Sequence, residues 1–182
     1  MRWSRLFADL DAQLEAAERA DRAAESAELR RAELSRVALA ERLAGGLGTV
    51  LTLAVDGADP LTGELTQVGA DWLLIDSGAG GETLVASSAI SSVVGLAAGS
   101  APPADEIERR LGLGAVLRRL ARDRAVVTVV VRTGAASTGT VDRVGADFLD
   151  LAEHAADRPR RATDVQRVRT IAFAALGLVR PA

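Results

Sequence analysis

The sequence predicts an α+β protein in which a long N-terminal helix is followed by two tandem small β-barrels. The first observation is a stretch without Gly or Pro from about Trp3 to about Leu43. The second is a motif, Val68-Gly69-Ala70-Asp71-Trp72-Leu73, that returns as Val144-Gly145-Ala146-Asp147-Phe148-Leu149. The third is a set of matching alternating segments around both copies. The expected domains are an N-terminal helix over 1–44, a first barrel over 45–97, a linker with a helix over 98–124 and a second barrel over 125–182.

The N-terminal stretch is rich in Ala, Leu, Glu and Arg, and it places Glu15 four residues before Arg19, which is the favourable orientation for a helical ion pair. Its apolar stripe ends where Asp21 takes the next heptad position. Two interpretations stay open: a helix whose first half packs on a barrel or a partner, or a self-associating coiled coil. The stripe consists of Trp3, Phe7, Leu10, Leu14 and Ala17.

Each copy of the motif predicts a β-hairpin, because alternating apolar segments flank a Gly-Ala pair. A two-residue loop with glycine first is typical of a type II′ turn, so a positive φ is expected at Gly69 and Gly145. Four or five short strands in roughly 50 residues are too few for a sandwich and suit a small closed barrel. The other matching segments are 50–55 with 127–132 and 85–90 with 171–176.

Small residues and a Pro pair over 97–103 predict a linker, and a second helix is expected from about Asp105 to about Arg124. The glycine-rich stretch 45–49 is not a phosphate loop, because it follows a helix, precedes a strand and contains no Lys. We interpret it as a helix end followed by a strand. The stretch 77–81 joins two strands and predicts a flexible loop.

Composition limits the class of protein. No segment is apolar and long enough to span a bilayer, and the charged N-terminus does not resemble a secretory signal, so a cytoplasmic protein is expected. The absence of Cys excludes disulfides and thiol catalysis. The formal net charge of −3 is unevenly divided, −7 over residues 1–100 and +4 over 101–182. The second half is therefore the better candidate for an anionic partner.

Five positions in each repeat follow one pattern: Gly63, Leu65, Asp71, Leu73 and Ile75 in the first, and Gly139, Val141, Asp147, Leu149 and Leu151 in the second. This pattern resembles the first motif of the Sm-like family of SH3-like small barrels. The resemblance implies the barrel fold and an association with RNA. The Gly-to-Asp spacing is two residues longer than in that family, and the family's second motif has no counterpart here. In whole-chain pattern the sequence is similar to uncharacterised actinobacterial proteins of similar length.

No group of residues matches a catalytic, metal or cofactor signature, so neither an enzyme nor a cofactor is expected. The single His, His154, is predicted to lie in a solvated loop. Asp71 and Asp147 are expected to accept hydrogen bonds from backbone N–H groups of their own turns beside Gly69 and Gly145. Trp72 and Phe148 are expected to be core anchors, with base stacking as the alternative.

The resulting functional prediction is a non-catalytic tandem-barrel module for protein interaction or assembly. Its expected partner is a second copy, giving at least a homodimer, or another protein, and no membrane is involved. The alternative is an RNA-binding protein that uses an Arg-rich second repeat. The candidate phosphate-binding residues are Arg118, Arg119, Arg122, Arg158, Arg160, Arg161, Arg167 and Arg169.

Overall fold

The computed structural model of the chain describes residues 2–96, 111–157 and 165–182. The predicted linker over 97–103, the first part of the predicted second helix, and Arg158, Arg160 and Arg161 lie outside the described residues. The chain forms two compact units, Met1–Ala38 and Leu39–Ala182.

The first unit is built on helix α1, Arg2–Leu34. The helix ends well before the predicted position near Leu43, because the chain turns at Ser35 and a separate short helix, α2, spans Leu39–Ala44. The described side chains of α1 are exposed, among them Phe7 of the predicted apolar stripe.

The second unit is a ten-stranded antiparallel sheet with the strand order β5-β1-β2-β3-β4-β10-β6-β7-β8-β9. Short alternating segments that are rich in Val, Leu, Ile and Thr form these strands, because such residues suit a pleated, half-buried surface. The strands are β1 Val50–Val55, β2 Leu61–Val68, β3 Trp72–Asp76, β4 Glu82–Ala86, β5 Ile90–Val94, β6 Val126–Val131, β7 Ala136–Val144, β8 Phe148–Glu153, β9 Arg167–Ala172 and β10 Leu176–Pro181.

The prediction of two closed barrels is wrong. Each half contains five strands in the same order, fifth, first, second, third, fourth, but neither half closes on itself. The physical reason is that β4 pairs with β10 of the other half instead of meeting β5. The two halves therefore share one continuous, open sheet.

Residues 50–55 match 127–132 in sequence, and the pairing of the strands shows that this match is shifted by one residue. Leu51 lies opposite Gly63, and Val127 lies opposite Gly139. A shift of one residue turns every side chain to the other face of the sheet, so this pairing decides which residues of β1 and β6 are equivalent. The counterpart of Leu51 is therefore Val127, which is buried as Leu51 is.

A helix before the first strand of each half packs on the sheet. Helix α3, Leu113–Asp123, buries Leu113 and Leu117 and contacts β7, and α2 buries Leu43. Arg124, the residue after α3, adopts the left-handed conformation with φ 51°. Its apolar face covers the sheet while its Arg side chains stay exposed, so α3 is an amphipathic surface helix.

The hairpin glycines have a different role from the predicted one. Among the described residues with positive φ, neither Gly69 nor Gly145 occurs, so the type II′ turn is wrong. A Cβ at Gly69 would instead overlap the indole ring of Trp72, and one at Gly145 would overlap the ring of Phe148. Glycine is needed because an aromatic ring lies directly on the backbone of the turn.

Candidate functional site

The pairing of β4 with β10, here called the seam, is the place where the two halves meet. Val85 lies opposite Leu178, and Leu84 lies opposite Val179. All four side chains are almost completely buried. The seam is thus an edge-to-edge strand pairing that is supported by apolar side chains on both faces of the sheet.

An ion pair crosses between the halves beside the seam. Asp56, just after β1, accepts hydrogen bonds from Nε and Nη2 of Arg132, just after β6, at 3.1 and 2.8 Å. The hydroxyl of Ser91 also donates to Asp56. The Ser91 hydroxyl and the Arg132 guanidinium together hold the pKa of Asp56 below its ordinary value. Opposite charges thus occupy equivalent positions in the two halves.

The repeated motif of the first half binds α3. The Trp72 indole N–H donates to the Leu111 carbonyl oxygen at 2.7 Å, and the Leu113 N–H donates to Oδ1 of Asp71 at 2.6 Å. Asp71 therefore caps a helix that follows it by some forty residues, instead of accepting from its own turn as predicted. Trp72 is 4% exposed.

Within the described residues, the copy of the motif in the second half makes no corresponding side-chain hydrogen bond to α3, although Ala146 lines a small cavity together with the start of that helix. Phe148 is 37% exposed, so the prediction that it is a core anchor is wrong. Asp147 is exposed, and within the described ranges no side-chain hydrogen bond of Asp147 occurs. Trp72 and Phe148 are equivalent in sequence but differ in burial: Trp72 is bonded to Leu111 just before α3, whereas Phe148, within the described residues, is left partly exposed.

A groove of about 770 Å³ lies between α3 and the seam. Its volume is in the range that ligand pockets occupy, roughly 300–1,000 Å³. Its lining is mainly apolar and also includes Arg119, Arg122, Arg180, Glu82 and Gln67. The apolar lining residues include Trp72, Leu74, Leu84, Leu111, Val116, Leu120, Val126, Val127 and Val179.

The candidate phosphate-binding arginines lie in different surroundings. Arg118, Arg119 and Arg122 are exposed on α3. Arg167 and Arg169 lie on β9, where both donate to the carboxylate of Glu153. These two arginines therefore already share an anionic partner within the fold.

Glu153, at the end of β8, is a buried carboxylate that the sequence did not single out. Burial raises its pKa, but hydrogen bonds from Arg169, Arg167 and Ser137 outweigh that effect, and the pKa of Glu153 is lower than its ordinary value. Its side chain is 8% exposed. Glu153 therefore holds β9 to β8 as a carboxylate, not as a neutral acid.

Glu153→Gln is expected to lower the free energy of unfolding at neutral pH by about 1 to 2 kcal/mol, since charge-assisted hydrogen bonds to two arginines are lost. A lowered folded-state pKa gives stability that is present above the unfolded pKa and is lost as the pH falls through the folded pKa. The difference between the parent and the variant should thus shrink below about pH 4. Urea unfolding across pH measures it, with the exposed Glu64→Gln as control. Equal stability of parent and Glu153→Gln at neutral pH would contradict this role.

His154 is buried, so the predicted solvated loop is wrong at this residue. Its Nδ1 lies 2.9 Å from the Ala155 carbonyl oxygen, and its Nε2 lies 2.9 Å from the Thr140 hydroxyl. This geometry assigns the proton to Nδ1, which donates to the carbonyl, while Nε2 accepts from Thr140. Both ring nitrogens are occupied within the fold, so His154 is a structural residue.

The sheet has two open edges, β5 and β9. Charged residues and Pro are the usual protection of exposed edges; β5 contains neither, whereas β9 carries Arg167 and Arg169. Val94 on β5 is 67% exposed and Val168 on β9 is 58% exposed. Val50 and Phe148, on the neighbouring strands, are exposed as well. Among the described residues, apolar surface therefore accompanies a strand edge with no neighbouring strand at both ends of the sheet.

Among the described residues, no group of three or more His, Asp or Glu side chains could hold a metal ion. In the same part of the chain, no helix has the length and apolar character needed to cross a membrane.

The fold and these surfaces define an antiparallel β protein with two open edges. Protein-family models, curated proteins and solved structures give no match to the chain.

Proposed function

We propose that this protein is a non-catalytic module for protein interaction and assembly that associates through the open edges of its sheet. The observation that carries the proposal is the seam, where an edge strand of one half pairs with an edge strand of the other. Edge strands of this kind thus form a well-packed junction within the chain. An exposed edge with apolar neighbours is a template for the same pairing with another chain.

The experiment is multi-angle light scattering of the full chain over a range of concentrations. We expect a mass above the 18.9 kDa of one chain that rises with concentration. Val168→Lys should lower that mass, because it replaces an exposed apolar side chain of β9 with a charge that contact with another chain would have to desolvate. Leu29→Lys is the matched control, since Leu29 is 61% exposed but lies on α1. A monomer at every concentration would contradict the proposal. A lower mass of the Leu29→Lys variant would show that the chains associate through α1 instead.

RNA binding is the second candidate, and the observation that favours it is the arginine group on α3. Arg118, Arg119 and Arg122 are exposed, and their spacing of three and four residues places them on one face of the helix. Arg offers bidentate contacts to phosphate, so such a face suits a nucleic-acid backbone. Nucleic-acid absorbance in the eluted protein peak, lost at high salt, would favour this candidate over the first.

A further inference from the structure

The seam joins two halves of one chain in a way that a second copy can repeat. β4 is the fourth strand of the first half, and β10 is the fifth strand of the second half. Their counterparts are β9, the fourth strand of the second half, and β5, the fifth strand of the first. These counterparts are the two strands at the ends of the sheet. Each copy therefore carries, at its two ends, the two sides of the same kind of junction.

The seam also fixes the register that such a junction would have. Val179 lies opposite Leu84 at the seam. Val93 occupies the place of Val179 in the β5–β1 ladder, and Thr170 occupies the place of Leu84 in the β8–β9 ladder. A junction with the seam's register thus sets Val93 of one copy opposite Thr170 of the next.

The exposed apolar residues at the sheet ends have counterparts in the other half of the chain, and these counterparts line the groove. The exposed residues are Val50, Val94, Phe148 and Val168. Their counterparts, in the same order, are Val126, Arg180, Trp72 and Glu82. All four counterparts line the groove at the seam. Two charged positions of the seam are thus valines at the sheet ends, where apolar contact between copies would bury them.

We propose that the β9 end of one copy binds the β5 end of the next copy, head to tail, with the register of the seam. The inference rests on the assembly function proposed above and names its partner. Because the two surfaces differ, the interface is heterologous and builds rings or filaments, not a dimer of two like ends. The charges agree: Asp56 and Arg132 occupy equivalent positions, so a repeated junction brings Arg132 of one copy near Asp56 of the next.

The junction between copies is looser than the seam at one point. A Cβ at Gly177 of β10 would lie 3.0 Å from the Val130 carbonyl oxygen and 3.1 Å from that of Asp56. The counterpart on β5 is Ser91, which carries a side chain and is the bulged residue of its ladder, as Gly177 is of its own. The strands must therefore separate by a few tenths of an ångström there. Association between copies is accordingly weaker than the seam and depends on concentration.

Cysteine cross-linking tests the inference without interference, because the chain contains no Cys. Val93→Cys and Thr170→Cys are made in separate full-length chains, checked for a parent-like thermal melt, mixed and oxidised. The mixture should give a disulfide-linked band of two chains, because opposite Cβ atoms in antiparallel strands come within disulfide reach. Neither variant should give this band alone. Thr62→Cys, exposed on the interior strand β2, replaces Thr170→Cys in the control mixture and should give none.

Linked dimers from Val93→Cys alone or from Thr170→Cys alone would overturn the head-to-tail arrangement. A mixture that forms no disulfide-linked band although light scattering still shows oligomers would also overturn it. That outcome would contradict the head-to-tail arrangement but not the assembly function. If Thr170→Cys disturbs the fold, Val168→Cys takes its place and a short bis-maleimide bridges it to Val93→Cys, since Val168 is exposed. A monomeric parent would instead remove the assembly function itself.

Discussion

Gly139→Ala is expected to destabilise the protein by about 3 kcal/mol, at the upper end of what overpacking costs. A Cβ at this position would lie well under 3.0 Å from the backbone of Ala152 on the neighbouring strand β8. Backbone cannot move aside as the end of a long side chain can, so β7 and β8 must separate. Because Gly63 meets the backbone of Asp76 in the same way, Gly63→Ala should cost a similar amount.

Urea unfolding followed by circular dichroism measures this loss. Gly80→Ala is the control, because its added Cβ would meet only the Ser77 Cβ, at 3.3 Å, and its φ is not positive. That substitution should stay within about 0.5 kcal/mol of the parent. A Gly139→Ala protein as stable as Gly80→Ala would show that the sheet accommodates a methyl group there, contrary to the geometry.

The sequence predicts the repeated unit well, for a physical reason. Side chains alternate with a period of two along each strand, so the recurrence of Gly63 and Gly139, and of Leu73 and Leu149, marks equivalent places in two hairpins. The same recurrence identifies the glycines at the turns. It does not predict their structural role, because the turn type and the position of the aromatic ring both depend on three-dimensional contacts.

Sequence does not decide whether the fourth strand closes its own half or joins the other. Backbone N–H and C=O groups pair with any strand edge, and Leu84 and Val85 are apolar enough for either choice. Closure is the prediction that the number of strands favours, because four or five short strands suit a small barrel, and the pairing with Leu178 and Val179 contradicts it. The strand count could be found from a local pattern, whereas the choice of neighbour could not.

The candidate site shows the same limit. Asp56 and Arg132, or Asp71 and Leu113, are far apart in sequence, and nothing in their local context marks them as partners. The signal for Glu153 is an acid at the end of one predicted strand that is followed, after a loop, by Arg167 and Arg169 at alternate positions. Alternation places both arginines on one face, which predicts a shared acceptor once the strand is known.

Trp72→Ala is expected to cost about 4 kcal/mol of unfolding free energy, in the usual range for a buried Trp. Trp72 is 4% exposed, and its indole N–H is bonded to the Leu111 carbonyl oxygen, so its loss leaves a cavity and an unpaired acceptor at the start of α3. Trp72→Phe keeps most of the packing and should cost about 1 kcal/mol, close to the hydrogen bond alone.

The matched substitution, Phe148→Ala, should cost only about 1 kcal/mol, because a partly exposed ring loses little buried surface. Urea unfolding of dilute protein compares the two. Light scattering should show the reverse order, with Phe148→Ala lowering the assembled mass, since Phe148 lies on β8 beside the edge strand β9, whereas Trp72 lines the groove at the seam. Equal losses of stability from Trp72→Ala and Phe148→Ala would mean that Phe148 is already buried within a single chain. Phe148 would then not be free to contact a second copy at the β9 end of the sheet.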